Sequence, residues 1–235
     1  MPATLPRYTG QPEHNLKIWR VMNLASATLL FTTGNLWLAR LSKFLDNKEG
    51  HWPQSQVDNY LEVGRNLLHT DPTAGEEYIQ HELDSIPRRC CASCWTAADT
   101  HSPLHWSRYD ADGGGVAVVT TYAKLRDALP PTCHIGLVRY VDFGRGDVVD
   151  FNSFIGAASF HKRQHFETES EIRVCSVQPE GFNQFGIQVP INIRHVADEI
   201  LISERLGDIG VSAVKKICEL MQLDPNLVRP AEVHS

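Results

Sequence analysis

A block of charge at residues 162–173 carries seven ionisable side chains in twelve positions and leads directly into an apolar segment. The β-branched and apolar residues that follow predict a strand over about 169–178. Alternation along that strand would place Glu169, Glu171 and Arg173 on one face. In a group-transfer site, one carboxylate could orient a substrate hydroxyl or take a proton while a nearby cation binds an anionic group. A buried ladder of ion pairs would show the same pattern, and the sequence leaves both interpretations open.

Arg20 is a second candidate for this chemistry, because it lies in an apolar, strand-like segment directly before a predicted helix. Its planar guanidinium offers several donors to a phosphate or a carboxylate. Buried charges are usually paired, so an internal ion pair is the structural alternative. The possible partners are Asp46, Glu49, Glu169 and Glu171.

Four further side chains are candidates for lining the same pocket. Lys162 and Arg163 are the two cations that begin the charge block. Trp106 and Tyr109 are three residues apart on a predicted short helix over 101–109, so they would share one helix face. Packing in the core is the alternative for both aromatic residues.

A C-x-x-C pair, Cys91 and Cys94, is followed by His101 and His105, and four such ligands could hold zinc. The second half of a zinc ribbon or finger is absent from the sequence. We therefore predict no metal site, with the six cysteines present as packed, reduced thiols.

Bulk composition is that of an ordinary folded chain. The 235 residues, of which 42% are hydrophobic and 21% charged, predict one domain with a sizeable core. A net charge of −6 argues against non-specific binding of nucleic acid. The sequence contains neither a signal-peptide pattern nor an apolar run of membrane-spanning length, so we expect a cytoplasmic protein without a membrane partner.

The pattern of strands and helices along the sequence predicts the fold that must position these side chains. It is an α+β fold with a mixed or mainly antiparallel central sheet flanked by helices. Residues 1–16 are expected to form a flexible N-terminal arm, and 17–235 a single domain with a helical insertion at about 53–89. Asn23 and Gly34 are predicted to bound a helix over 24–33. Predicted strands cover residues 18–22, 35–40, 90–96, 116–119, 133–141, 185–191 and 199–203, and helices cover 122–129, capped by Thr120, and 209–223.

Seven short motifs within residues 17–205 resemble the pattern of an uncharacterised bacterial family, known as a domain of unknown function. That pattern runs W-R-Y, L-x-F-x-R, D-P-x-E-G, C-W, W-x-x-Y, G-v-A-I-x-[ST]-T and K-R-x-x-F-x-x-E-x-E-x-R. The matching segments here are 19–21, 36–40, 46–50, 94–95, 106–109, 115–121 and 162–173. Val21, Asn47 and Thr96 depart from the pattern. The resemblance implies where a site would lie and brings no established activity.

The order of elements is also similar to that of ADP-ribosyltransferases, which place an arginine, a serine/threonine pair and an E-x-E on successive strands around NAD. That likeness implies that Arg20 binds NAD phosphate. It implies that Thr120 and Thr121 brace the pocket. Glu171 would then bind the nicotinamide ribose, and Glu169 would address the acceptor.

Two functions from different classes therefore follow from the sequence. The first is an enzyme acting on a nucleotide or NAD-like substrate, as in a toxin or phage-defence effector; NAD would be its substrate, and no other cofactor is expected. The second is a non-enzymatic sensor or protein-interaction module whose polar cluster is structural. The expected partner is a small-molecule nucleotide in the first case and a protein in the second.

Overall fold

A computed structural model describes residues 12–67, 71–98, 106–107, 113–145 and 155–231. Its strands are β1 Lys17–Asn23, β2 Asn35–Arg40, β3 Cys90–Ala97, β4 Gly115–Thr121, β5 His134–Leu137, β6 Arg139–Val141, β7 His161–Arg163, β8 Glu171–Val177, β9 Gly186–Pro190, β10 Glu199–Ile202 and β11 Val228–Pro230. Its α-helices are α1 Leu24–Thr33, α2 Gln54–Leu67, α3 Pro72–Arg89, α4 Tyr122–Ala128, α5 Ile193–Val196 and α6 Gly207–Leu220.

Nine of the described strands form one sheet, in which β11, β10, β4, β1, β3, β2 and β9 are successive neighbours. On the other edge of β3 lies β8, which in turn pairs with β5. The pairs in this sheet are antiparallel except for β10 with β11, and β6 and β7 form a separate parallel pair. The predicted α+β fold with a mixed, mainly antiparallel sheet is confirmed.

The sheet splits where β1 and β2 share one edge of β3. β1 pairs with β3 at residues 96–97, whereas β2 pairs with it at 91–92. β8 pairs along the whole opposite edge, from residue 90 to residue 96. Neither β1 nor β2 pairs with residues 93–95 of β3. A gap therefore lies between β1 and β2 opposite these residues.

Helix α1 connects the two strands that diverge, and its ends are set by local chemistry. The Asn23 side chain accepts a hydrogen bond of 2.8 Å from the backbone N–H of Ser26. Gly34 ends the helix in the left-handed conformation, with φ of 65°, which glycine adopts without a steric cost. The predicted bounds of this helix are confirmed.

Apolar clusters lie on both faces of the sheet. The largest joins α1, α4 and α6 to the sheet residues Ile18, Met22 and Trp95. A second cluster on the opposite face packs Leu83 and Ile86 of α3 against β3 and β8. A third, on that same face, is built around Trp19 and Trp106.

Several predicted boundaries are wrong or fall outside the described residues. The expected strand over 133–141 is interrupted at Val138, whose N–H donates to the Glu171 carbonyl at 2.8 Å. Thr120 lies within β4, and Thr121 caps α4 instead. The predicted helix over 101–109 is described only at residues 106–107, and the N-terminal arm only from residue 12.

Candidate functional site

An open pocket of about 550 Å³ lies between the second and third clusters. It is bordered by β1, β3, β7 and β8 and by the segment that follows β2. Its charged wall consists of the cations Arg20, Lys43, Lys162 and Arg163 and the acids Asp46, Glu49, Glu169 and Glu171. Phe44 and Phe166 add aromatic surface. The structure therefore brings four of the predicted cations and acids of the charge block, with Arg20, to one pocket.

Beneath this pocket lies an ion network centred on Arg173, whose side chain is completely buried. Its Nε donates to Glu171 Oε1 at 2.7 Å, and its Nη1 donates to Glu49 Oε2 at 2.9 Å and to the Ser159 carbonyl at 2.5 Å. The side chains of Glu49 and Glu171 are themselves almost fully buried. The three charges pair with one another, as buried charges must. Among the described residues, the buried Nη2 of Arg173 has no hydrogen-bond partner.

Lys162 joins this buried network to the surface. Its Nζ lies 3.3 Å from Glu49 Oε1, 3.3 Å from Glu171 Oε2 and 2.5 Å from Glu169 Oε2. The ammonium also lies 4.7 Å from the centre of the Phe166 ring, within range of a cation–π contact. The Glu169 side chain is 44% exposed, so Lys162 links a buried carboxylate to one that solvent and ligands can reach.

The network shifts the pKa values of Glu171 and Lys162. Burial alone would raise the pKa of Glu171, but Arg173 and Lys162 outweigh it and lower that pKa to about 2. Burial lowers the pKa of Lys162, yet Glu171 and Glu49 reverse the effect and raise it. Glu171 is thus ionised at neutral pH, which suits holding a hydroxyl by a hydrogen bond rather than transferring a proton.

Glu169 does not lie on the strand, contrary to prediction. It ends a 3₁₀ helix, Gln164–Glu169, and Ser170 then adopts a left-handed conformation with φ of 43°. The strand begins at Glu171, and the expected placement of Glu171 and Arg173 on one face is confirmed by their pairing with Thr96 and Cys94 of β3. The turn at Ser170 still leaves the Glu169 carboxylate beside Lys162.

Arg20 spans the split in the sheet. Its Nη1 donates to the Ser93 hydroxyl and to the Cys94 carbonyl at 3.2 Å, and its Nη2 donates to the Trp37 carbonyl at 3.4 Å. One guanidinium therefore contacts β3 and β2 from β1, at the apex of the gap. Arg20 and Glu171 line the same open pocket and are not sealed together in the core.

Each of the four acids considered as partners of Arg20 lies in contact with Lys162 or Arg163. Asp46 Oδ1 lies 2.8 Å from Nη2 of Arg163. Glu49 and Glu169 contact Lys162, as does Glu171. The charge block therefore contains buried ion pairs, with Arg173 and Lys162 as the paired cations, and part of it also borders the open pocket.

The remaining predicted site residues lie elsewhere. Trp106 packs in the third cluster with Trp19, and Thr120 is buried in β4 opposite Ile18. The Thr121 hydroxyl accepts from the Lys124 N–H at 3.4 Å. None of these three borders the 550 Å³ pocket, and Tyr109 lies outside the described residues.

Sequence reasoning did not identify Lys43, Phe44, Phe166 or Cys94 as pocket residues, nor Glu49 as a partner of Arg173. Phe166 lies inside the charge block, where an aromatic residue among seven ionisable ones is a usable signal. Lys43, Phe44 and Glu49 reach the site through the path of the chain after β2, which no local pattern specifies, whereas Cys94 lies on β3.

The geometry of the cysteines does not favour a zinc site. Cys91 packs in the largest cluster and Cys94 borders the pocket, so they lie on opposite faces of β3. Within the described residues, no group of three or more His, Cys, Asp or Glu side chains is arranged to hold a metal ion. His101 and His105 lie outside those residues.

Fold and site together define an α+β protein with a split sheet and a charged pocket at the split. Comparison of the chain with protein-family models, curated proteins and solved structures gave no match. Membership of the uncharacterised bacterial family therefore stays a prediction. In the part of the chain that the structure describes, none of the helices combines the length and the apolar character needed to cross a membrane.

Proposed function

We propose that the 550 Å³ pocket binds an NAD-like nucleotide and that the protein is an ADP-ribosyltransferase-like enzyme. The observation that carries this proposal is the group formed by Glu171, Glu169 and Lys162. An ionised carboxylate lies at the floor of an open pocket, an accessible carboxylate lies at its rim, and a lysine contacts both. The toxin or phage-defence role stays a prediction.

Each part of such a ligand has a matching group. Arg20 lies on the pocket wall and can donate to phosphate oxygens. The floor carboxylate of Glu171 can accept a hydrogen bond from a ribose hydroxyl. Phe44 and Phe166 offer apolar surface to a heterocycle.

The reaction breaks the glycosidic C–N bond of the ligand, and neutral nicotinamide leaves with the electron pair of that bond. Positive charge develops on the ribose, where the permanent negative charge of Glu171 would stabilise it. A nucleophilic O–H or N–H of the acceptor then bonds to the anomeric carbon and loses its proton. Glu169, at the accessible rim, is the carboxylate placed to receive that proton.

Substitution of Glu169 is the sharpest test, because this residue is half exposed and its loss leaves the buried network intact. With labelled NAD, the wild-type protein is expected to release nicotinamide and to label an acceptor protein. Glu169→Gln should lower the rate of transfer by about 10²–10⁴-fold, the range for general-base catalysis, with an unchanged melting temperature.

Glu167→Gln is the matched control, since Glu167 is an exposed glutamate of the same 3₁₀ helix that does not border the pocket. It should retain full activity. A folded wild-type protein that neither binds NAD nor consumes it would contradict the proposal.

A second candidate function is a non-enzymatic sensor or protein-interaction module. The mutual pairing of Arg173, Glu171 and Glu49 favours it, because these buried charges are paired within the protein, as in a structural cluster. Under this alternative, Glu171→Gln would lower stability, and Glu169→Gln would change neither stability nor any NAD-dependent signal.

A further inference from the structure

The gap between β1 and β2 holds a second cavity, of about 380 Å³. Arg20 borders this cavity as well as the 550 Å³ pocket, so both spaces adjoin the same arginine. Each volume falls within the roughly 300–1,000 Å³ typical of small-molecule sites. A ligand held by Arg20 could therefore extend into both.

One wall of the second cavity is the indole of Trp37, which is 38% exposed despite its size. Gly186 of β9 pairs with Ala39 of β2 and so lies diagonally opposite Trp37, and a Cβ atom at Gly186 would lie only 2.6 Å from Trp37 Cζ2. The absence of a side chain at Gly186 lets the indole lie against the β9 backbone. The ring is thereby held in place with part of its surface toward the cavity.

Two amide side chains border the same cavity beside the indole. Asn35 is two residues before Trp37 on β2, and Gln188 of β9 is the direct pairing partner of Trp37. Nδ2 of Asn35 donates to Oε1 of Gln188 at 3.5 Å, a long contact that a ligand could replace. An amide carries both donors and an acceptor, as hydrogen bonding to the edge of a nucleobase requires.

Arg20 links this wall to the first pocket, because its Nη2 donates to the backbone carbonyl of Trp37. Asn23, which caps the N-terminus of α1, and Ser26 in the first turn of that helix border the cavity as well. The arrangement matches a base attached to a phosphate. The indole can stack on the base, the amide groups can bind its edge, and the guanidinium can bind the phosphate.

We propose that the cavity between β1 and β2 is a subsite for the nucleobase at the far end of a dinucleotide, whose phosphates lie at Arg20. This inference rests on the proposed function and deepens it. The nicotinamide riboside half of NAD occupies the 550 Å³ pocket, and the adenine stacks on Trp37. The ligand class is then a dinucleotide rather than a mononucleotide.

The test compares the binding of NAD with that of nicotinamide mononucleotide, which lacks the adenylate half, by titration calorimetry. The wild-type protein should bind NAD more tightly. Trp37→Ala should weaken NAD binding by about 5- to 100-fold, the effect of losing one base–aromatic stack, and leave the affinity for nicotinamide mononucleotide unchanged. Trp37→Phe should restore most of the NAD affinity.

Tyr78→Ala is the control, since it removes an exposed aromatic residue of α3 that borders neither cavity. If Trp37→Ala does not fold, Gln188→Ala, at an exposed position of β9, tests the same subsite by the same comparison. Equal losses for both ligands, or no loss for NAD, would overturn the subsite and leave the 550 Å³ pocket as the nucleotide site. Absence of binding of either ligand to the wild type would overturn both proposals.

Discussion

At the scale of single residues, Glu171 has both a structural and a possible functional role. It is buried with Arg173 and Lys162, which gives it a structural role, and it also borders an open pocket. Arg173 retains Glu49 as a second carboxylate partner, so the loss of Glu171 would weaken the network without leaving Arg173 wholly unpaired. Stability and activity must therefore be measured separately for any substitution at this position.

The depressed pKa of Glu171 makes its contribution to stability dependent on pH. The pKa is about 2 in the folded protein against 4.5 for the ordinary group, so the contribution is complete above pH 4.5 and is lost as the pH falls from 4.5 to 2. Glu171→Gln should lower the free energy of unfolding by about 3 kcal/mol at pH 7, the contribution that corresponds to the depressed pKa, while Glu49 still pairs with Arg173. The difference from wild type should shrink by roughly 3 kcal/mol on acidification to pH 2.

Urea unfolding at a series of pH values checks this dependence. Glu167→Gln serves as the control and should follow the wild type throughout, because Glu167 is exposed. A difference between Glu171→Gln and wild type that stays constant between pH 4.5 and pH 2 would contradict the assigned protonation of Glu171.

At the scale of elements, features set by local contacts could be predicted from the sequence, whereas features set by long-range contacts could not. The bounds of α1 were predictable because Asn23 and Gly34 act on their own helix ends. The break in the predicted strand at Val138 was not, since it lies where the chain changes its pairing partner from β8 to β7. In the site, the charge block was predictable, whereas the approach of Glu49 to Arg173 spans 124 positions of sequence.

The contact between α2 and α3 depends on the small size of Gly64. A Cβ atom there would lie 2.7 Å from the Gly75 carbonyl oxygen and 2.9 Å from Ile79 Cγ1. Gly64→Ala gains about 1 kcal/mol of helix propensity, but overpacking against a backbone atom costs about 1–3 kcal/mol. We expect a net loss of up to about 2 kcal/mol, measured as a lower melting temperature by calorimetry.

Asn66→Ala is the control on the same helix, because Asn66 is exposed and its replacement gains propensity without a clash. It should leave the melting temperature unchanged or slightly higher. An equal increase for Gly64→Ala would show that the two helices can move apart without cost.

At the scale of the whole molecule, the helices predicted as an insertion, α2 and α3, are connected to the central sheet through α3. Helix α3 passes into β3 without a connecting loop, and the Cys90 N–H donates to the Ile86 carbonyl at the junction. Leu83 and Ile86 of α3 pack with Ala92 of β3 and Phe160 in the second cluster. On the opposite face of β3, Trp95 packs in the largest cluster. The helices and the sheet should therefore lose their structure together.

Equilibrium unfolding in urea tests this coupling with two probes, circular dichroism at the helix band and tryptophan fluorescence. The two transitions should share one midpoint, as a cooperative domain requires. Leu83→Ala, which removes a buried side chain from α3, should shift both midpoints equally, for a loss of about 2–5 kcal/mol. If Leu83→Ala instead lowers only the midpoint from circular dichroism, α2 and α3 form a separate unit, and the site beside β3 does not depend on them.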